Sequence, residues 1–461
     1  MTDSPRKQIH LAAHFPGVNN TTVWTDPASG SQIDFASFRH LAQTAERGRF
    51  DFLFLAEGLR LREHAGRIYD LDVVGRPDNL TMLAAVAGVT EHLGLAATVN
   101  STYHEPYELA RQLATLDHLS DGRAAWNIVT SWDAFTGENF RRGGYLPHDE
   151  RYLRAKNFLE AAVTLWQSWT DAGCEPGRFQ IQNRHFDISG QFNVPPSPQG
   201  RPVIIQAGQS DEGREFAASS ADIIFSRHAK FDDGRAFYHD VKSRLVKYGR
   251  AWSDLLILPS ASVVLGDDDH EAREIYREVR LAQVSPATAV AFLEQLWNTD
   301  LSGHDPDGPL PTIDPVDTDL EGLITQGRSS VRSLIQDRAA TARQWRELAE
   351  TRQLSTRELV IAVTERQCFV GSAATVADEL DRFVQQDAAD GFVLVPHLTP
   401  TGLDRFVDEV VPLLQERGSH RTEYRGATLR ENLGLPTPPG TWSGSSALVP
   451  DSRSADTAAD R

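Results

Sequence analysis

Residues 202–219, PVIIQAGQSDEGREFAAS, run from an apolar strand through Ala207, Gly208 and Ser210 into a helix that starts at Asp211. A strand end, a glycine, a hydroxyl and a helix start bring free backbone N–H groups and a side-chain donor to one spot. Helix N-termini of this kind bind phosphate, through those donors and the helix dipole. A helix cap with no ligand has the same pattern, and both readings stand here. A second stretch, TLDHLSDGRAAWNIVTS (115–131), reads as a helix end, a turn at Ser120-Asp121-Gly122 and a strand over 123–129. Gly122 suits the turn because glycine tolerates positive φ. The strand turns polar at Asn127, Thr130 and Ser131. Such residues face a ligand where a buried strand leaves the packed interior. An asparagine satisfied in the core, followed by a Thr-Ser helix cap, is the alternative.

Other polar side chains stand at the ends of apolar runs: His14 after IHLAA, Glu57 after FDFLFLA, Thr98 in LGLAATV, Ser226 in DIIFS and His397 after GFVLVP. Something must bring these ends together. Apolar strands at 9–15, 50–56, 93–99, 123–129, 202–206, 222–226, 255–265 and 391–396 alternate with helical patterns. The helices are expected at 34–49 with Asp34 as N-cap, 80–92, 106–118 opened by Pro106, about 149–169, 211–219, 232–248, 374–386 and 403–417. Such alternation implies a mainly parallel sheet covered by helices. Eight strand–helix units favour a closed (β/α)8 TIM barrel of the α/β class, with all the polar strand ends on one face. Residues 1–435 then form a single domain. An insertion at about 270–368 separates strand seven from its helix and would act as a lid. A small hairpin is expected around FDISGQFNV, and the Pro-, Gly-, Ser- and Asp-rich tail at 436–461 is expected to be disordered.

Composition narrows the function classes. The formal net charge is −18 and the pI about 5.3, which argues against a nucleic-acid backbone or an anionic membrane as main partner. Cys174 and Cys368 lie far apart with no Cys/His cluster, so no disulfide framework and no metal site is expected. No long apolar run follows the basic residues of MTDSPRKQIHLAAHF, and the expectation is a cytoplasmic protein. No G-x-G-x-x-G follows a strand, and there is no P-loop or His-Glu-x-x-His.

Four ordered motifs then stand out: TAERGRFDFLFLAEG (44–58), VTEHLGLAATVNSTYHEPYELARQLATLDHLSDGRAAWNIVTS (89–131), HDERYLRA (148–155) and PVIIQAGQSDEGREFAA (202–218). With DAADGFVLVP and VPLLQERG, they resemble the flavin-dependent monooxygenases grouped around nitrilotriacetate, dibenzothiophene-sulfone and long-chain alkane monooxygenase, within the bacterial-luciferase-like superfamily. The similarity runs from about residue 9 to 433. The resemblance implies a barrel that binds reduced FMN supplied by a separate NAD(P)H-dependent flavin reductase, with O2 as co-substrate, in a homodimer or homotetramer. It carries over Thr98, Asn127, Ser131, His148, Tyr152 and Ser210 as flavin contacts. Ser210 and the backbone from Ala207 through Gly208 suit the phosphate. His148 and Tyr152 suit the same anion or the ribityl chain, and Thr98 and Asn127 the edge of the ring.

The sequence departs from the family pattern in two places. Glu57 stands where the family often has Asp, one methylene longer but still placed to reach the flavin. Trp132 stands where the alkane enzyme has His. Trp132, Phe135 and Phe292 would wall the substrate pocket. The implied reaction passes through a C4a-(hydro)peroxyflavin and inserts one oxygen atom into a small organic molecule, with loss of nitrogen, sulfur or halogen where the oxidised carbon bears it. His14 and His397 are the candidates for proton transfer, since an imidazole titrates in the right range. A non-catalytic flavin-binding protein and a deazaflavin-dependent dehydrogenase on the same barrel are the rival readings. The substrate stays open.

Overall fold

A computed structural model describes residues 6–15, 21–68, 76–131, 134–140, 148–169, 175–228, 230–318, 323–326 and 337–438. Eight strands close a barrel: β1 (His10–His14), β2 (Phe52–Leu55), β3 (Gly94–Asn100), β4 (Ala124–Val129), β5 (Val203–Gln206), β6 (Ile223–Ser226), β7 (Leu256–Leu265) and β8 (Gly391–Leu394). Every neighbouring pair is parallel, and β6 against β7 completes the ring. Helices α1 (Phe35–Arg47), α2 (Asn79–Ala87), α3 (Pro106–Leu119), α4 (His148–Trp166), α5 (Asp211–Ser220), α6 (Phe231–Leu245), α7 (Ala373–Gln385) and α8 (Val411–Glu416) follow the strands in turn. This is the (β/α)8 barrel that the alternation of apolar strands and helices implies.

The two-residue period of the strands splits their side chains into two layers. Ala12, Phe52, Phe54, Ala96, Ala125, Val203, Ile205, Ile223, Leu256, Leu258 and Val393 pack together inside the barrel. Leu11, Ala13, Leu53, Leu55, Leu95, Ala97, Trp126, Ile128, Ile204, Ile224 and Phe392 face the helices. Small residues on β1, β3 and β4 leave room for Phe52 and Phe54, so the interior is filled rather than hollow. The same register decides which polar side chains reach the mouth.

The N-terminal end of the barrel is closed by a segment that the sequence patterns do not suggest. A short helix, Leu429–Asn432, places Leu429, Leu433 and Leu435 in the interior cluster. Gly94 must lack a side chain here, because a Cβ would lie 2.7 Å from both Leu429 and the Asp51 carbonyl. Arg430 of this segment reaches buried Asp222 at 3.1 Å, and Arg201 reaches the same carboxylate at 3.2 Å. Burial raises the carboxyl pKa of Asp222, but the two guanidinium groups overcome it and hold the value down to about 2.

Several boundaries differ from expectation for identifiable reasons. Asp34 stands at the N-cap of α1 but its side chain makes no capping bond, whereas Asp78 caps α2 through Thr81 N at 2.8 Å. Helix α2 stops at Gly88 instead of running to His92, and the Glu46 carboxylate accepts from the N–H groups of Glu91, His92 and Leu93. The expected helix over 403–417 is divided into a π-helical turn, Phe406–Val410, and α8. Pro412 lies in the first turn of α8 and has no N–H to continue the ladder.

Between β7 and α7 lie the helices Asp269–Gln283, Pro286–Trp297, Arg338–Arg352 and Thr356–Val363, and a short strand, Cys368–Gly371, parallel to the end of β7. Three of these helices share a core of their own around Phe292, Trp297, Trp345 and Leu359. The segment is tied to the barrel loops. Gln283 Nε2 donates to the Thr21 carbonyl, and His64 Nε2 lies 2.5 Å from Glu294 Oε2. The hairpin of Arg178–Gln182 with Asp187–Gln191 lies where FDISGQFNV suggests it. Among the described residues no helix is long and apolar enough to cross a membrane. The tail at 439–461, expected to be disordered, lies outside the described residues.

Candidate functional site

The inward register carries His14, Thr98 and Asn127 to the C-terminal end of the barrel, each two residues beyond an interior side chain (Ala12, Ala96, Ala125). Thr98 and Asn127 are register partners on β3 and β4, and Asn127 Nδ2 donates to Thr98 Oγ1 at 3.1 Å. Asn127 is 2% exposed, yet its Oδ1 has no hydrogen-bond partner among the described residues. A buried amide oxygen left in this way costs about 1–3 kcal/mol. An N–H of a bound ligand would satisfy it.

Next to β4 in the sheet, β5 leads into the Gly208–Ser210 junction. Ser210 caps α5, with its Oγ accepting from Gly213 N at 3.2 Å, and Asp211 and Glu212 follow in the first turn. Gly208 N donates to Gln206 Oε1 at 2.5 Å. Gly208 and Gly213 pack backbone to backbone. A Cβ on Gly208 would lie 2.8 Å from the Gly213 Cα, and one on Gly213 2.7 Å from the Gly208 Cα. Two glycines in contact let the helix start pack directly against the strand end. From α4, Tyr152 brings its hydroxyl to 3.4 Å from Ser210 Oγ. Hydroxyls and a helix N-terminus at one spot are groups that can hold an anion. A phosphorylated ring ligand such as FMN matches both features, with an anion for the cradle and ring N–H for Asn127.

The remaining expected residues are distributed as follows. Ser131, just past β4, donates its N–H to Thr102 Oγ1 at 3.0 Å. Glu57, past β2, accepts from Asn100 N at 3.4 Å and lies 3.6 Å from His104 Nε2. Burial raises its pKa, and His104 and Asn100 oppose the rise. A cavity of about 850 Å3, lined by Glu57, Thr98, His104 and Asn79 among others, opens beside these strand ends and continues between α2 and α3. His14 is buried with its ring 5.4 Å from Phe54, which stacks on Phe225 at 5.5 Å. His397 is half-buried, with an Nδ1 that has no partner among the described residues. Burial lowers its pKa and Asp26 opposes this, so burial favours the neutral ring. Ser226 has the outward register of Ile224 and faces the helices.

Phe135 is half-buried beneath the Arg60 guanidinium, 3.4 Å from the ring centre. Phe292 is not brought to the mouth. It is 1% exposed in the helical core of the insertion, packed with Leu293 and Trp297. Its expected place in the pocket rested on residue type, and burial against other helices satisfies that type equally well. Trp132 and the side chain of His148 lie outside the described residues, although His148 is the first residue of α4. Sequence reasoning missed two groups at this rim. His104 is the partner of Glu57, and its signal was a histidine beside the acid of His104-Glu105-Pro106, directly after β3. Arg227 follows Ser226 at the end of β6, with no acidic residue within four positions on either side.

Comparison with known proteins gives the family. Residues 17–390 match the family model described as luciferase-like monooxygenase. The chain is 38% identical to nitrilotriacetate monooxygenase component A of Aminobacter aminovorans over 428 residues, covering 88% of this chain and 91% of that protein. It is 36% identical to the dibenzothiophene-sulfone monooxygenase of Rhodococcus erythropolis (strain XP), covering 94% and 98%. Among solved structures, a riboflavin lyase crystallised with modified FMN and riboflavin superposes with a TM-score of 0.76 at 28% identity, covering 94% of this chain and 99% of that one. The family model spans β2 to β7 and the segment between β7 and β8, and with them the strand ends that carry Thr98, Asn127 and Ser210; this chain belongs to the luciferase-like monooxygenase family.

Proposed function

We propose that the protein is the oxygenase component of a two-component system. It takes reduced FMN from a separate NAD(P)H-dependent flavin reductase and uses O2 to place one oxygen atom in a small organic substrate. The observation that carries this reading is the inward-facing Thr98–Asn127 pair, with the unsatisfied Asn127 Oδ1 next to the Gly208–Ser210 cradle. The name "component A" of the nitrilotriacetate relative supports the two-component form.

When bound, reduced FMN supplies the two electrons that activate O2. The protein's own groups bind, orient and exclude water. Asn127 Oδ1 accepts from a ring N–H, and Thr98, already accepting from Asn127, fixes the amide so that this oxygen points into the site. Ser210, Tyr152 and the backbone from Ala207 to Ser210 would hold the phosphate, the Gly208 N–H itself being engaged by Gln206, with His148 in the place the resemblance gives it. Ser131 borders the ribityl chain. Glu57 acts at one remove, by holding Asn100 and His104 at the rim. The helical segment tied to Thr21 and His64 limits water at the mouth. His14, at the end of β1, and His397, just past the adjacent β8, hold or move the proton lost from the substrate. A substrate hydroxylated on a carbon bearing nitrogen, sulfur or halogen then expels that group.

The test is a substrate screen with FMN, NADH and a flavin reductase under 18O2. A product carrying one 18O atom is the expected result. Oxygen recovered solely as hydrogen peroxide with every substrate, at the rate of free reduced FMN, would favour a non-catalytic flavin carrier instead.

A further inference from the structure

We propose that His104 is a further catalytic histidine of this site: held by Glu57, it gives a proton to the oxygen atom of O2 that does not enter the substrate. The inference rests on the oxygenase reading of the mouth and assigns a proton that His14 and His397 do not handle.

Glu57 and His104 follow the neighbouring strands β2 and β3, and His104 Nε2 lies 3.6 Å from Glu57 Oε1. That nitrogen is buried, and no other group among the described residues accepts from it. The Glu57 carboxylate is also largely buried, and its hydrogen bond from Asn100 N is long at 3.4 Å. Burial raises its pKa, and His104 is the first group to oppose the rise. Contacts of this length are common between catalytic groups in a ligand-free protein and tighten when the ligand binds.

Both partners are held from behind. Buried Arg154 of α4 donates to the His104 carbonyl at 3.1 Å and to the Ser101 carbonyl at 3.0 Å, which fixes the loop between β3 and α3. Phe140 meets the His104 ring edge-on at 6.5 Å. Asn100, whose N–H holds Glu57, accepts from Thr102 N through its own Oδ1 at 2.6 Å.

The second ring nitrogen sets the chemistry. The His104 side chain is 34% exposed, and Nδ1 is neither buried nor bonded to a described residue. With Nε2–H directed at the carboxylate, the lone pair of the neutral ring is on Nδ1, and a second proton goes there. A carboxylate behind an imidazole fixes the tautomer and stabilises the imidazolium. Nδ1–H is then the proton that a bound molecule can take. Thr98, placed at the edge of the flavin ring, lines the same cavity of about 850 Å3 as Glu57 and His104. His14 and His397 lie on the other side of β2, at the ends of β1 and β8. The proton passes from His104 to the oxygen that becomes water. One returns to the ring from solvent through the cavity, and the two hydrogens lost by reduced FMN close the balance.

Two measurements test this. In flavin-free protein with 15N-labelled histidine, NMR reads the tautomer of the neutral ring, and His104→Gln assigns the signal. The proposal expects Nε2–H in wild type and a mixture of tautomers in Glu57→Gln. Protein loaded anaerobically with reduced FMN is then mixed with O2 and no substrate, so that both oxygen atoms leave as hydrogen peroxide and take the same proton. His104→Gln and His104→Ala are expected to slow that release by about tenfold or more, with affinity for reduced FMN within twofold of wild type. Added imidazole should restore His104→Ala, which a purely structural loss would not allow. The proposal is overturned by Nδ1–H in wild type, by a tautomer indifferent to Glu57→Gln, by an unchanged rate of peroxide release, or by a slow His104→Ala that imidazole leaves slow. Failure of wild type to bind reduced FMN would sink the flavin reading itself, a result that the flavin-free tautomer measurement keeps apart from failure of the Glu57–His104 pair.

Discussion

Asn127 and Thr98 sit opposite each other on adjacent barrel strands, joined by one 3.1 Å hydrogen bond that leaves Asn127 Oδ1 buried and unsatisfied. A group kept in that state stabilises nothing in the free protein. Replacing Asn127 by Leu removes the orphan, so the melting temperature of the flavin-free protein is expected to hold or rise. Affinity for reduced FMN is expected to fall by about tenfold or more, the worth of one buried hydrogen bond. Thermal melts and anaerobic flavin titrations measured on the same preparation check both directions.

Gly208→Ala places a methyl group 2.8 Å from the Gly213 Cα and from Gln206 Nε2. Backbone cannot yield as a side-chain tip can, so the strand–helix junction must open, at a cost of about 1–3 kcal/mol. The expected result is a loss of FMN affinity of about tenfold or more and a much smaller loss for riboflavin, which has no phosphate. Equal losses for the two flavins would remove the cradle from the account.

Asp117 gives a pH-dependent prediction. Its Oδ1 accepts from Ala124 N at 2.8 Å and Gln199 Nε2 at 2.6 Å at the turn into β4. Burial raises its pKa to about 6 against the opposing pull of Ser197, Ala124 and Gln199. The unfolded carboxyl titrates near 3.9. A raised folded value means that this residue's contribution is fully present below about pH 4 and is lost as pH rises through 6. Asp117→Asn, which keeps the accepting oxygen, should therefore stabilise the protein by up to about 3 kcal/mol at pH 8 and by almost nothing at pH 4. Denaturant unfolding at the two pH values is the check.

Phe292→Ala separates structure from substrate binding. The ring is enclosed in the helical core of the insertion, so its loss is expected to cost about 3–5 kcal/mol of stability. A change in substrate KM with stability intact would return Phe292 to the pocket.

The barrel was legible because its strands are short apolar runs punctuated by Gly, Pro and polar residues, and each predicted strand lies within two residues of its observed bounds. The Gly208–Ser210 junction and Asn127 were legible for the same reason, as local features at strand ends. Pairings across long stretches of chain were not legible. Nothing near Leu429 or Arg430 announces that they seal the far end of the barrel against Gly94 and Asp222. Glu57 gave no sign of His104, nor Glu46 of the three N–H groups it caps. Aromatic character alone could not separate Phe135, at the rim beneath Arg60, from Phe292, inside a helical core. Arg227 could have been found by extending the inward register of β6 by one step.

The central claim is that the Gly208–Ser210 cradle and Asn127 together hold reduced FMN, and anaerobic titration with reduced FMN and reduced riboflavin tests it most directly. The account predicts saturable one-to-one binding of reduced FMN, at least about tenfold tighter than reduced riboflavin, as a phosphate held by charge-assisted bonds requires. Absence of binding, or equal affinity for the two flavins, would contradict it.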